Sequence, residues 1–117
     1  MSRVEPHGAN LVKRSQVGIA LVGCGTVGGA VAEILLRDRA LLKTKSGFDL
    51  VIRYIVDRNF TYARHLQLDD TLFETDLDRA LEDDEVSIVV ELVGGTTKAK
   101  EIIEQALTAG KQVVTAN

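Results

Sequence analysis

The residues best suited to chemistry are the six from Gly23 to Gly28, Gly23-Cys24-Gly25-Thr26-Val27-Gly28, with glycines spaced G-x-G-x-x-G. Glycines at these intervals suit a tight turn that brings backbone N–H groups against the oxygens of a pyrophosphate. The spacing alone is a weak signal, but its context strengthens it. The apolar run Val17-Gly18-Ile19-Ala20-Leu21-Val22 precedes it, and Val27, Val31, Ile34 and Leu35 recur after it at helical spacing. A strand, a glycine turn and a helix in that order make a dinucleotide-binding turn. Gly23 permits the turn, Gly25 admits the pyrophosphate to the backbone, and Gly28 lets the helix pack close to the strand. A phosphate loop of the NTPase kind needs a lysine and a hydroxyl residue after its last glycine. Gly29-Ala30 stand there instead, which excludes that reading.

A second strand reads as Leu50 to Val56 and ends at Asp57, where a carboxylate would accept hydrogen bonds from an adenosine ribose. Arg58 beside it could instead meet a 2′-phosphate, and either residue could be an ordinary loop charge. Cys24, the only cysteine, reads as a small space-filling residue of the turn, since no partner base is evident. A third strand, Ser87 to Val93, closes on Gly94-Gly95, with Thr96 or Thr97 placed to cap the next helix. Ligands of open α/β sheets bind outside the carboxyl ends of the strands. Gly25, Gly94, Thr96 and Asn117 are therefore expected around one crevice. Glu91, acidic and late in an apolar strand, either pairs or faces water, and the sequence does not choose.

The elements that must position these residues follow from periodicity. A polar arm, 1–16, precedes a dinucleotide-binding domain, 17–117. The first helix is expected to reach about Leu42, with Lys43 to Gly47 as a polar connection. A short helix is expected near Tyr62 to Leu66 and a brief strand at Leu72-Phe73. Thr75 is placed to cap a small helix containing Leu77, Ala80 and Leu81, and Glu82 to Glu85 form an acidic turn. The helix with Ala99, Ile102, Ile103, Ala106 and Leu107 inward stops at Gly110, and Lys111 to Thr115 gives the last strand. Strands alternating with helices predict an α/β fold, a Rossmann-like parallel sheet with helices on both faces.

Composition narrows the function classes. The 117 residues carry 14 basic and 17 acidic side chains, a net charge of −3, with 4% aromatics. That balance gives neither a basic nucleic-acid footprint nor stacking platforms for bases. One cysteine and two histidines far apart, His7 and His65, offer no metal-ligand spacing. No apolar run approaches the roughly 20 residues of a membrane span, and no secretory signal is visible. A cytoplasmic protein is expected.

Three stretches together resemble the N-terminal cofactor domain of homoserine dehydrogenases: Ile19 to Gly28, Val90-Glu91-Leu92-Val93-Gly94-Gly95-Thr96, and Gly110-Lys111-Gln112-Val113-Val114-Thr115-Ala116-Asn117. The glycine turn is shared by many dehydrogenases; the other two stretches are more specific. The resemblance covers about residues 17 to 117. It implies NAD or NADP as cofactor and reversible oxidation of homoserine to aspartate semialdehyde, a step toward threonine, methionine and isoleucine. By that resemblance Gly23, Cys24, Gly25, Thr26, Val27 and Gly28 hold the pyrophosphate. Gly94, Gly95 and Thr96 approach the nicotinamide side, with Thr115 and Asn117 nearby. Lys98 stands where relatives often have proline, and Val56 where many place arginine, which leaves the cofactor choice open. The family's lysine after Thr-Ala-Asn, its substrate region and its dimerisation region lie beyond this chain. An inactive cofactor-binding part of a homo-oligomeric enzyme is therefore expected. A sugar- or inositol-type dehydrogenase would usually end the last strand in Glu-Lys-Pro, not Thr-Ala-Asn. A free-standing redox sensor would be expected to show a DNA-binding or dimerising element.

Overall fold

A computed structural model of the chain describes residues 16–58, 60, 66 and 71–116. Residues 1–15 of the expected polar arm and 62–65 of the expected short helix, His65 among them, lie outside the described residues, and Gln16 belongs to the first strand. Strand β1 spans Gln16–Val22, one residue earlier than expected, and β2 spans Asp49–Val56. β3 is the brief strand Leu72–Glu74, β4 is Val86–Glu91 and β5 is Gln112–Thr115. They form one sheet in the order β3-β2-β1-β4-β5, and every ladder is parallel. The chain leaves β1 in one direction toward β2 and β3, then returns to its other side for β4 and β5. The reversal between β1 and β4 makes a crevice at their carboxyl ends, where such sheets bind ligands.

Buried side chains line both faces of the sheet. On one face Ala20, Val22, Tyr54, Val56 and Val89 pack with Ala80, Ile102 and Ala106. The last three come from helix α3, Leu77–Glu82, and helix α4, Thr96–Thr108. On the other face Ile19, Leu21, Ile52 and Ile55 pack with Ala32 of helix α1, Thr26–Arg37. Burial on both faces explains why β1 reads as a continuous apolar run instead of an alternating one. The register slips once in each neighbour of β1, as Ile19 faces Ile52 but Ala20 faces Tyr54. Arg53 is thus an extra residue, a bulge that puts Tyr54 and Ile55 on the faces opposite to those strict alternation from Ile52 would give.

Two expectations about helices are corrected. The first helix does not run to Leu42: it ends at Arg37, and a separate helix α2 spans Arg39–Ser46. Asp38 sits between them at φ −102°, ψ 18°, outside helical geometry. The break lets Arg39 donate a two-pronged hydrogen bond, at 2.7 and 2.8 Å, to the buried carboxylate of Asp49 at the start of β2. Lys43 to Ser46 are therefore helical, and Gly47 at φ +82° stops them. The small helix α3 is capped by Asp76, not Thr75: its side chain accepts the N–H of Asp78 at 2.9 Å. A carboxylate one residue later suits the helix start better than the threonine hydroxyl.

Candidate dinucleotide-binding site

The glycine turn is built by contacts of the backbone with itself. Gly23 has φ +95°, a region that residues with a Cβ rarely adopt, and its N–H donates to the Val56 carbonyl at 2.8 Å. A Cβ on Gly28, buried in the first turn of α1, would lie 2.2 Å from the Gly23 carbonyl oxygen. Those two glycines are demanded by the chain's own sterics. Gly25 is not hemmed in: its φ of −87° lies outside the left-handed region, and a Cβ there would meet nothing within 4 Å. What glycine provides at that position is access to the backbone from outside. Among the described residues no side chain caps α1, and its first turn holds no acid. The positive end of this helix therefore faces the turn with no side-chain cap and no acid of its own.

The carboxylate of Asp57, just past β2, reaches back to the same turn. Its Oδ2 accepts the Cys24 N–H at 2.6 Å, and its Oδ1 accepts the Arg58 N–H at 2.7 Å. Cys24 is buried against the α1 face of the sheet. Burial, and then the nearby Asp57 carboxylate, push its thiol up from the ordinary range. Such a cysteine is packing, not a nucleophile.

Beside the turn opens a crevice of about 680 Å³, within the usual range for small-molecule sites. Its floor is the carboxyl ends of the strands: Val22 and Gly23, Val56 to Arg58, Val93 and Gly94. One wall is the α3 entry, Thr75 to Asp78; the other is α4, through Lys98, Glu101, Ile102 and Gln105. Gly95 has φ +91° and is itself the N-cap of α4. Thr96 is already the first helical residue, so neither Thr96 nor Thr97 caps the helix as expected.

Glu91 is settled by the structure. It is fully buried at the end of β4 and faces no water. Its Oε2 accepts the Val93 N–H at 2.6 Å, and its Oε1 accepts the Thr115 hydroxyl at 2.5 Å. The carboxylate bends the chain out of β4 two residues before the expected strand end and ties that bend to the end of β5.

Of the residues predicted from sequence, Gly23, Asp57, Arg58 and Gly94 line the crevice together. Cys24 and Gly28 are buried beneath the turn, while Gly25, Thr26, Val27, Gly95 and Thr96 are exposed and do not line the crevice itself. Thr115 is held by Glu91, and Asn117 lies outside the described residues. Sequence reading missed the α3 entry and the Lys98, Glu101, Gln105 edge of α4. Lys98, Glu101 and Gln105 flank Ile102 at helical spacing, a signal that marks a helix shoulder but not what it faces. Lys111 lies at the opposite end of the sheet, with its Nζ donating to the Asp83 carbonyl at 2.9 Å.

The family model described as the NAD-binding domain of homoserine dehydrogenase matches residues 23–117. The chain belongs to this family. Curated homoserine dehydrogenases match it over most of its length, including that of Corynebacterium glutamicum, 39% identical over 88% of this chain. The enzyme of Methylobacillus glycogenes is 36% identical over 86% of it. The chain spans about a quarter of the length of these relatives, 23% and 24%. A solved homoserine dehydrogenase from S. aureus superposes with a TM-score of 0.77 at 33% identity, covering 87% of this chain and 26% of that one. The Thiobacillus denitrificans enzyme gives the same TM-score at 34% identity, covering 87% of this chain and 23% of its own. The Rossmann-like sheet expected from the sequence is therefore the fold of homoserine dehydrogenase cofactor domains. Among the described residues no helix is long and apolar enough to cross a membrane.

Proposed function

We propose that the chain binds a nicotinamide dinucleotide, NAD in preference to NADP, as the cofactor domain (residues 17–117) of a homo-oligomeric, cytoplasmic enzyme that oxidises homoserine to aspartate semialdehyde. Gly25 carries this reading. No protein atom lies where its Cβ would meet it, and it stands at an uncapped helix N-terminus where a pyrophosphate would come against the backbone. In this reading the backbone from Gly23 to Gly28 holds the pyrophosphate and Asp57 meets the adenosine ribose. Gly94, Gly95 and Thr96 flank the nicotinamide side, with Thr115 and Asn117 near them. Asp57, Asp76, Asp78 and Glu101 line the crevice against two cations, Arg58 and Lys98, an excess of negative charge that disfavours an added 2′-phosphate.

The bound dinucleotide supplies the hydride acceptor. The protein must supply a base within hydrogen-bond reach of the alcohol and hold the substrate. No described side chain is assigned this role. The Cys24 thiol is buried with its pKa raised, and Lys111 is held at the far end of the sheet. Those groups are assigned to the remainder of the longer enzyme, so the 117-residue chain is expected to bind cofactor without turnover. The test is NAD(P)H absorbance with homoserine, comparing the chain with a form extended by its natural downstream sequence. Turnover by the extended form alone supports the reading. Turnover by the short chain would overturn its role as a cofactor domain, and an inactive extension would count against homoserine.

A further inference from the structure

We infer that Glu91 biases the site toward the oxidised dinucleotide, its buried negative charge favouring the cationic nicotinamide ring of NAD+ over the neutral ring of NADH. The inference rests on the cofactor reading above and goes beyond it, since that reading gives Glu91 no part.

Glu91 is the only carboxylate among the described residues with no exposed surface at all. Burying one is costly, and a strand end can be fastened with neutral groups, so a charge at this place calls for a use. The position suggests one. Glu91 ends β4, beside β1, at the reversal point of the sheet. Its Oε2 holds the N–H of Val93, the residue before Gly94, and both Val93 and Gly94 line the crevice. Its Oε1 holds the hydroxyl of Thr115, at the end of β5. The carboxylate thus lies one residue beneath the side of the site assigned to the nicotinamide, in packed protein where charge is screened less than in water. The ring is the part of the cofactor whose charge changes on reduction. An anion at this end of the sheet therefore acts on one redox form and not on the other.

A loop fastener and a charge make different predictions. Glu91→Gln keeps the length and an oxygen for the Val93 N–H but removes the charge. Glu91→Asp keeps the charge and shortens the reach. NADH fluorescence titration, with NAD+ as competitor, gives both dissociation constants for each form of the chain. The ratio of the NAD+ constant to the NADH constant is expected to rise about three- to tenfold in Glu91→Gln, the size of a charge effect across folded protein. Glu91→Asp is expected to weaken both forms alike and keep the wild-type ratio. Circular dichroism reports folding, and Glu91→Met serves as a second neutral variant should Glu91→Gln fail to fold. An unchanged ratio in the neutral variant, or an equal shift in Glu91→Asp, would overturn the inference. A wild-type chain that binds neither form would instead overturn the cofactor reading, and this inference with it.

Discussion

The backbone N–H of Cys24 and the carboxylate of Asp57, 33 residues apart in sequence, are joined by a 2.6 Å hydrogen bond. Its consequence is that the glycine turn of β1 and the acidic end of β2 form one unit. The Gly23 N–H to Val56 carbonyl bond, at 2.8 Å, fastens the same two strand ends a second time. A ligand bridging the turn and the carboxylate would meet two groups whose separation is already set, so little ordering remains to be done on binding.

Cofactor choice follows from this placement. Asp57→Asn keeps an oxygen for the Cys24 N–H and removes the charge proposed to face a 2′-phosphate. The ratio of NADP to NAD dissociation constants is expected to fall about three- to tenfold, a charge effect at a partly exposed position. Calorimetric titration with both cofactors measures it. An unchanged ratio would mean that Asp57 does not face the ribose.

Glycines demanded by the fold separate from the one reserved for the ligand. A Cβ on Gly28 would stand 2.2 Å from the Gly23 carbonyl oxygen, and one on Gly18 would stand 1.9 Å from the Glu85 carbonyl oxygen. Gly28→Ala and Gly18→Ala are each expected to cost about 1–3 kcal/mol or more, as overpacking does. Gly25→Ala, whose Cβ would meet nothing, is expected to cost less than either, about 1 kcal/mol or under, as a change of N-cap residue does. Urea midpoints of the three variants test the distinction.

Much of this was legible in the sequence because it is local. The run from Val17 to Val22, the turn from Gly23 to Gly28 and the helical recurrence after it are contiguous, and each predicts the next. What was not legible depends on partners far along the chain. Nothing around Asp38 marks a helix break; Arg39 turns to Asp49, ten residues on, and that pairing is tertiary. The role of Glu91 is fixed by Thr115, 24 residues later, and the same carboxylate ends β4 early by taking the Val93 N–H. The crevice wall from Thr75 to Asp78 exists only because β3 lies beside β2 and sets the α3 entry over the strand ends.

The Arg39–Asp49 pair gives the fold an acid-sensitive joint. The hydrogen bonds from Arg39 hold the Asp49 carboxyl below its ordinary value, outweighing burial. A carboxyl with a lowered folded pKa contributes stability above its unfolded pKa, about 3.9, and loses it as pH falls from there through the folded value. Arg39 is nearly half exposed, so solvent screening limits the pair to about 1 kcal/mol. Arg39→Ala is expected to lower stability by that order at neutral pH and to flatten the loss below about pH 4. Thermal melts of both forms at several acidic pH values measure it. An identical pH slope in the variant would remove Asp49 from the account.

The central claim, that a nicotinamide dinucleotide docks its pyrophosphate on the turn at Gly25, is tested most directly by calorimetric titration of NAD into three forms of the 117-residue chain: wild type, Gly25→Val and Gly29→Ala. A valine at position 25 projects over the turn from a point where its Cβ meets nothing within 4 Å, whereas Gly29, also open at its Cβ, lies inside α1. Saturable binding is expected for wild type and Gly29→Ala, with at least about tenfold weaker binding by a folded Gly25→Val. Equal binding by wild type and Gly25→Val would contradict the claim.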